Sequence, residues 1–347
     1  VVSSTGYAVG VHAGATDRGK EFRAMMSGKG CMARMCVLGI LAAGLIGFLL
    51  HSVHAADQPE RFFLVGDGRL HIKNVKTGVE ADKSLICPDG SLNEEGLAAM
   101  DEVFGFHGPK AGEHISLRLL FMLDHFSDLA APGKLIHLTS GYRSPEYNEK
   151  LRNAGGNVAG TSLHMDGMAL DFSIEGISGK ELWTLIKSRD CCGVGHYGGA
   201  TIHLDSARPR FWEAATSKVR TGESEFNRRI YLSTELDRYR GGETIRLCLV
   251  SVSDFGFGIS RAAHLVMDKE GHRVVGPLHV AAPGEAACVD VSDRQTAGSI
   301  RIALPEAPAP GRYRIKLDFC RKPFDQMPSA TVSNEIEVLA SSPHARP

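Results

Sequence analysis

The sequence predicts an α+β fold, a small antiparallel sheet with flanking helices, followed by a C-terminal β-sandwich. Three observations carry this reading. Between about residues 60 and 219 apolar residues recur at both helical and strand spacing. Beyond Thr221 the helical period gives way to short alternating strands separated by turns rich in Gly, Pro and Asp. The chain of 347 residues is also long enough to bury two cores. A net charge of -1 predicts no nucleic-acid partner and no attraction to an anionic membrane.

The N-terminal part reads as a leader rather than as fold. Cys36 to Leu50 (CVLGILAAGLIGFLL) is an unbroken apolar run, with Arg34 before it and the small-residue pattern Val53-His54-Ala55 after it. It is shorter than a comfortable bilayer span, as a secretory h-region is. Residues 32–56 are therefore expected to be a signal peptide, with a normal n-region starting at Met32, or a membrane anchor if uncleaved. Residues 1–31 form an upstream extension that fits no leader. Export to a periplasm or cell envelope follows. There an oxidising compartment permits disulfides among Cys87, Cys191, Cys192, Cys248, Cys288 and Cys320. None has C-x-x-C spacing, and adjacent Cys191 and Cys192 are expected not to bond to each other.

Within residues 57–219, Ile115 to Leu129 has the apolar period of a core helix, and Lys134 to Leu138 reads as a short buried strand. In SGYRSPEYNEKLRNAGG, Ser144 is a natural N-cap, Pro145 suits the first helical position, and Gly155-Gly156 stops the helix. Ser178 and Glu181 have the spacing of a capping box, with Leu182, Leu185 and Ile186 facing inward. Residues 220–340 should hold strands at Arg229–Thr234, Thr244–Val252, Ala262–Met267, Ser299–Leu304, Arg312–Phe319 and Thr331–Leu339, and residues 341–347 a disordered tail.

Chemistry concentrates in TSLHMDGMALDFSI, residues 161–174. Gly167 permits a tight turn, and the strand after it places Ala169 and Asp171 on one face, where small Ala169 leaves room beside the carboxylate. His164 on the approach and Asp171 on the strand could converge on one cation. Asp166 reads as a solvated neighbour. A second stretch, GVGHYGGATIHLD, reads as a two-residue hairpin turning at Gly198-Gly199 and pairing His196 with Thr201. That register puts His196, His203 and Asp205 on one face, with the two imidazoles about 7 Å apart. Two histidines and a carboxylate leave one tetrahedral position for water, the pattern of catalytic zinc, which lowers the pKa of water and polarises a carbonyl.

The combination S-x-H-x-x-G-x-A-x-D (Ser162 to Asp171), the preceding S-G-Y-R-S (Ser140 to Ser144) and the later IHLDSARPRFW resembles the zinc D-Ala-D-Ala metallopeptidase superfamily, with the murein endopeptidase K type and the Hedgehog zinc fold among its branches. The resemblance covers about residues 60–215. It implies a zinc peptidase domain over 57–219 and peptidoglycan peptides as substrate. His164 and Asp171 match the first two ligands, and His203 is the choice for the third. Arg143 matches an arginine that reaches the substrate carbonyl. Ser162 matches a residue beside the site, and Tyr142 is placed with it in substrate binding, although Tyr142, Tyr197, Phe211 and Trp212 read first as packing residues.

One departure stands out: Ala200 occupies the position where many relatives carry a general-base carboxylate. Either His203 binds zinc and Asp205 or His196 accepts the proton, or Asp205 is itself a ligand. The first is favoured, since imidazole is the commoner zinc ligand. The expected activity is hydrolysis of peptidoglycan amides, endopeptidase before carboxypeptidase. The rival reading is a non-catalytic, zinc-stabilised module that binds cell wall or protein.

Overall fold

The computed structural model describes residues 61–108, 113–156, 158–214, 222–282 and 284–340. The expected leader, the extension before it, the tail and the junction between the two parts of the chain lie outside these residues. Among the described residues, no helix is long and apolar enough to cross a membrane.

The first part runs β1 (Arg69–Asn74), β2 (Glu80–Ser84), α1 (Glu94–Phe104), α2 (Leu117–Ala130), β3 (Ile136–Ser140), α3 (Pro145–Asn153), β4 (Ala169–Ile174), α4 (Gly179–Lys187), β5 (Gly193–His196), β6 (Ile202–Asp205) and β7 (Arg210–Glu213). The helix signals in the sequence act as local chemistry dictates. Ser116 accepts a hydrogen bond from Leu119 N at the start of α2, and Ser144 accepts one from Tyr147 N ahead of Pro145. Ser178 and Glu181 form the reciprocal capping box that opens α4, whose Leu182, Trp183 and Ile186 are buried and Leu185 half-buried. Ser178→Ala is expected to cost about 1 kcal/mol in denaturant unfolding.

The strands form one sheet of seven, in the order β2-β1-β3-β4-β6-β5-β7. It is larger than expected and not wholly antiparallel, because β1 pairs with β3 and β5 with β7 in parallel. One face carries Leu170, Phe172, Val194, Ile202 and Leu204 into a core shared with α1, α2 and α4. Strand alternation leaves the opposite face of β4, β5 and β6 for polar residues.

The C-terminal region is β-rich: β8 (Tyr231–Thr234), β9 (Arg238–Tyr239), β10 (Thr244–Val250), β11 (Phe257–Val266), β12 (Val274–Ala281), β13 (Cys288–Val291), the short α5 (Arg294–Ala297), β14 (Ile300–Ala303), β15 (Gly311–Arg321), β16 (Ala330–Val332) and β17 (Ile336–Val338). A single hydrogen-bonded path links β8-β10-β14-β12-β11-β15-β17-β9, with β13 on β11 and β16 on β15. Period-2 patterning is plain in β15, where Tyr313, Ile315, Leu317 and Phe319 enter a second core. Cys288 and Cys320 are disulfide-bonded, tying β13 to β15. Contrary to expectation, the sulfurs of Cys191 and Cys192 lie against each other as a vicinal pair ahead of β5.

Buried polar contacts join the two parts. Arg118 of α2 pairs with Asp237 at 2.7 Å, both nearly solvent-free, and Asp237 also accepts from Phe63 N. Such a pair tolerates no loss of one partner, since the other charge would stay buried and uncompensated. Beside it a small apolar cluster unites Leu163, Met168, Ala169 and Ala207 with Tyr231 and Val250.

Candidate metal centre

Sheet register builds the site. Across β3, β4, β6, β5 and β7, Ser140 lies opposite Asp171, Asp171 opposite His203, His203 opposite Gly195, and Gly195 opposite Trp212. Directly opposed residues share a face, so these form one transverse row. The next row holds Ala169, Asp205, Gly193 and Arg210. The two glycines make these rows possible. A Cβ on Gly195 would stand 2.3 Å from the Trp212 indole, and one on Gly193 2.1 Å from the Asp205 carboxylate. Trp212 uses the space to lie 5.1 Å from the His203 ring, with the Arg210 guanidinium 5.1 Å from the indole.

His164 reaches the row from a 3-10 turn, Leu163–Asp166, which Gly167 ends with φ +65°. That is the left-handed backbone the sequence required of a glycine there. His164 Nδ1 lies 2.8 Å from the Gly141 carbonyl, so it carries the proton and leaves Nε2 facing Asp171 Oδ1 at 3.4 Å. His203 Nδ1 sits 2.9 Å from the same Oδ1, while its Nε2 sits 3.0 Å from Asp205 Oδ2. One ring nitrogen of His164, a carboxylate oxygen of Asp171 and one ring nitrogen of His203 thus fall within 4.8 Å of one another. All three residues are buried.

The donor chemistry suits a divalent ion. A carboxylate only accepts, so His203, flanked by two of them, needs a proton on each nitrogen or a metal in place of one. His164 turns a lone pair toward Asp171, an arrangement that calls for a cation between them. Burial lowers the His164 pKa and favours its neutral, ligand form. Burial opposes charge on His203 as well, but its hydrogen bonds to Asp171 and Asp205 prevail and raise its pKa. Asp171, despite burial, is held well below the carboxylate range by the two facing histidines. Two imidazole nitrogens and one carboxylate oxygen form a donor set that zinc takes with an open fourth position.

Other expected residues separate into those the structure gathers and those it does not. Arg143 is gathered: Nη2 donates to Asp171 Oδ2 at 2.8 Å and Nε to Ser140 Oγ at 2.9 Å. Ser162 is buried immediately before the turn. Tyr142 packs edge-on against Phe106. His196 is not gathered. The hairpin pairs it with Ile202, not Thr201, so it turns to the core face, 6.2 Å from the Trp183 ring. Asp205 is gathered, but on the far side of His203 from Asp171. It is fully buried behind His203, bonded to Nε2, to Arg210 at 2.7 Å and to Ala207 N at 3.1 Å. Burial would raise its pKa, but Arg210 and His203 outweigh that and hold it below the usual carboxylate range.

Two side chains escaped the sequence reading. Tyr197, taken as packing, is 43% exposed, yet its hydroxyl lies 3.3 Å from Asp171 Oδ1, and desolvation of that hydroxyl together with the carboxylate keeps the phenol protonated. Asp166 is not solvated; it pairs with Arg294 and accepts from Ser251 N at 3.0 Å. A second carboxylate group, Asp67, Asp124 and Asp128, lies elsewhere, and there Asp124 is already occupied by Gly66 N and Gly68 N.

The family model for peptidoglycan L,D-endopeptidase MepK matches residues 65–212, which contain every residue of the site. Peptidoglycan L,D-endopeptidase MepK of Escherichia coli (strain K12) is 31% identical over 144 residues, covering 41% of this chain and 79% of the relative. The probable peptidoglycan L,D-endopeptidase MepK of Haemophilus influenzae is 34% identical over 79 residues, covering 22% of this chain and 42% of the relative. With this coverage of the Escherichia coli protein, and the motifs falling on one sheet face, the chain belongs to the murein endopeptidase K family of the D-Ala-D-Ala metallopeptidase superfamily.

Proposed function

We propose that the chain is an exported, zinc-dependent hydrolase that cleaves an L,D amide bond in peptidoglycan peptides, held in the periplasm or cell envelope and carrying a C-terminal sandwich-type accessory domain. The observation that carries this is the convergence of His164, Asp171 and His203 on one buried point of the matched segment. Export is supported by the apolar run Cys36 to Leu50 and by the Cys288–Cys320 disulfide, which suits an oxidising compartment.

His164, Asp171 and His203 would hold the ion, which when bound supplies a Lewis acid that activates water and polarises a carbonyl. The remaining residues orient and stabilise. Arg143, anchored by Ser140 and Asp171, presents a fixed cation to negative charge developing on the carbonyl oxygen. Protonated Tyr197 offers a second donor beside it. Asp205 fixes the His203 ring by accepting a hydrogen bond from its Nε2–H, and Arg210 fixes Asp205.

One observation favours the rival, a zinc-stabilised binding module without turnover. Ala200 carries no carboxylate, and neither Asp205 nor His196 stands on the open side of the cluster. Digestion of purified sacculi separates the two readings. The hydrolase releases soluble muropeptides, stops when a chelator strips the metal and resumes when zinc is restored. Binding to sacculi without any release would establish the module instead.

A further inference from the structure

Asp166 ends the short turn that carries His164, yet its partners lie far along the chain, outside the segment matched by the family. Its carboxylate, 3% exposed, is held by Arg294 at the start of α5 and by the backbone N–H of Ser251 at 3.0 Å. Ser251 follows β10 directly and has φ +56°, a left-handed backbone that a residue with a side chain seldom adopts. Such a conformation persists where surrounding contacts enforce it, and here it aims an N–H at Asp166. The Arg294 guanidinium is in turn seated 5.8 Å from the Phe255 ring.

A second set of contacts acts on the same turn. Leu163, which precedes His164, and Met168 and Ala169, which lead into Asp171, pack against Tyr231 of β8 and Val250 of β10. Its own domain ties the turn through the backbone, by Met165 N to Ser162 O, Met168 N to Leu163 O, Arg143 N to His164 O at 3.1 Å and Ser116 N to Gly167 O at 3.0 Å, and through His164 Nδ1 to Gly141 O, whereas the Asp166 carboxylate finds its partners in the C-terminal region. The C-terminal region thus grips it by charge at Asp166 and by apolar packing at Leu163 and Met168.

We propose that the C-terminal β-rich region clamps the His164 turn through Arg294 and Ser251 on Asp166, and thereby sets the metal affinity of a centre to which it gives no ligand. The inference rests on the metal-centre reading above. A ligand loop already ordered before the ion arrives loses less freedom on binding, so its affinity is higher. Arg294 and Asp166 are positioning residues.

The test uses the full chain with Arg294→Met, Arg294→Lys and Asp166→Asn. Zinc affinity is measured by chelator competition, and amide hydrogen exchange in the metal-free protein is followed over residues 161–168 and over β11. Arg294→Met is expected to weaken zinc binding by about tenfold, the lower end for outer partners of a metal site, and to speed exchange in the turn while β11 keeps its protection. Arg294→Lys should recover most of the affinity. If Arg294→Met fails to fold, Asp166→Asn, which keeps the side chain's shape, should show the same loss. Zinc affinity within twofold of the parent in folded Arg294→Met or Asp166→Asn, with unchanged exchange in the turn, overturns the clamp alone. A parent chain that binds no zinc overturns the metal reading and, with it, the clamp's role in affinity.

Discussion

On the proposed function, His164→Ala is expected to abolish zinc binding and to lower muropeptide release by about 10³-fold, several kcal/mol of transition-state stabilisation being the worth of a Lewis acid at the carbonyl. The ring has two polar engagements, Gly141 O through Nδ1 and Asp171 through Nε2. Its removal takes a donor from the cluster without stranding a buried charge, because Asp171 keeps Arg143 and His203. Folding should therefore survive, and circular dichroism on the same sample will show whether it has. A folded variant that retains one equivalent of zinc and full turnover would remove His164 from the ligand set.

Asp205→Ala separates the orienting role that the geometry suggests from the ligand role that the sequence left open. If Asp205 orients His203, the variant binds zinc about 10- to 100-fold more weakly, and excess zinc restores turnover. If Asp205 were a ligand, loss would match that of His164→Ala and excess zinc would not rescue it. The geometry favours orientation, since Asp205 meets the nitrogen of His203 that points away from Asp171. Losing the Arg210 contact should add little to the stability change, because that side chain is 39% exposed and can turn to water. Isothermal titration with zinc, paired with activity at rising zinc concentration, distinguishes these results.

Where chemistry is local, the sequence was legible. Ser144-Pro145, the Ser178–Glu181 box and the Gly167 turn are each set by contacts within a few residues, and each forms as read. So does the approach of His164 to Asp171, which depends on one turn and one strand. The hairpin was misread for a specific reason. Strand pairing ends at His196 opposite Ile202, so five residues rather than two make the connection. The loop instead spans residues 197–201, the pairing slips by one, and a one-residue slip sends His196 to the opposite face. It is the same slip that brings Tyr197 into the loop beside Asp171.

Long-range pairing was invisible. Asp166 looked solvated because its partners are 85 and 128 residues away in sequence. β12 went unread because Gly276 and Pro277 interrupt its pattern, and Pro tolerates a strand where no ladder N–H is needed. The seven-stranded sheet likewise depends on β1 and β7 adding in parallel, which no local turn announces.

X-ray absorption at the zinc edge, on full-length protein purified without chelator and assayed for metal content, tests the central claim most directly. The account predicts one zinc per chain, in a first shell of imidazole nitrogen and carboxylate oxygen at about 2.0–2.2 Å. A metal-free protein that cannot be loaded, or a shell containing sulfur, would contradict it.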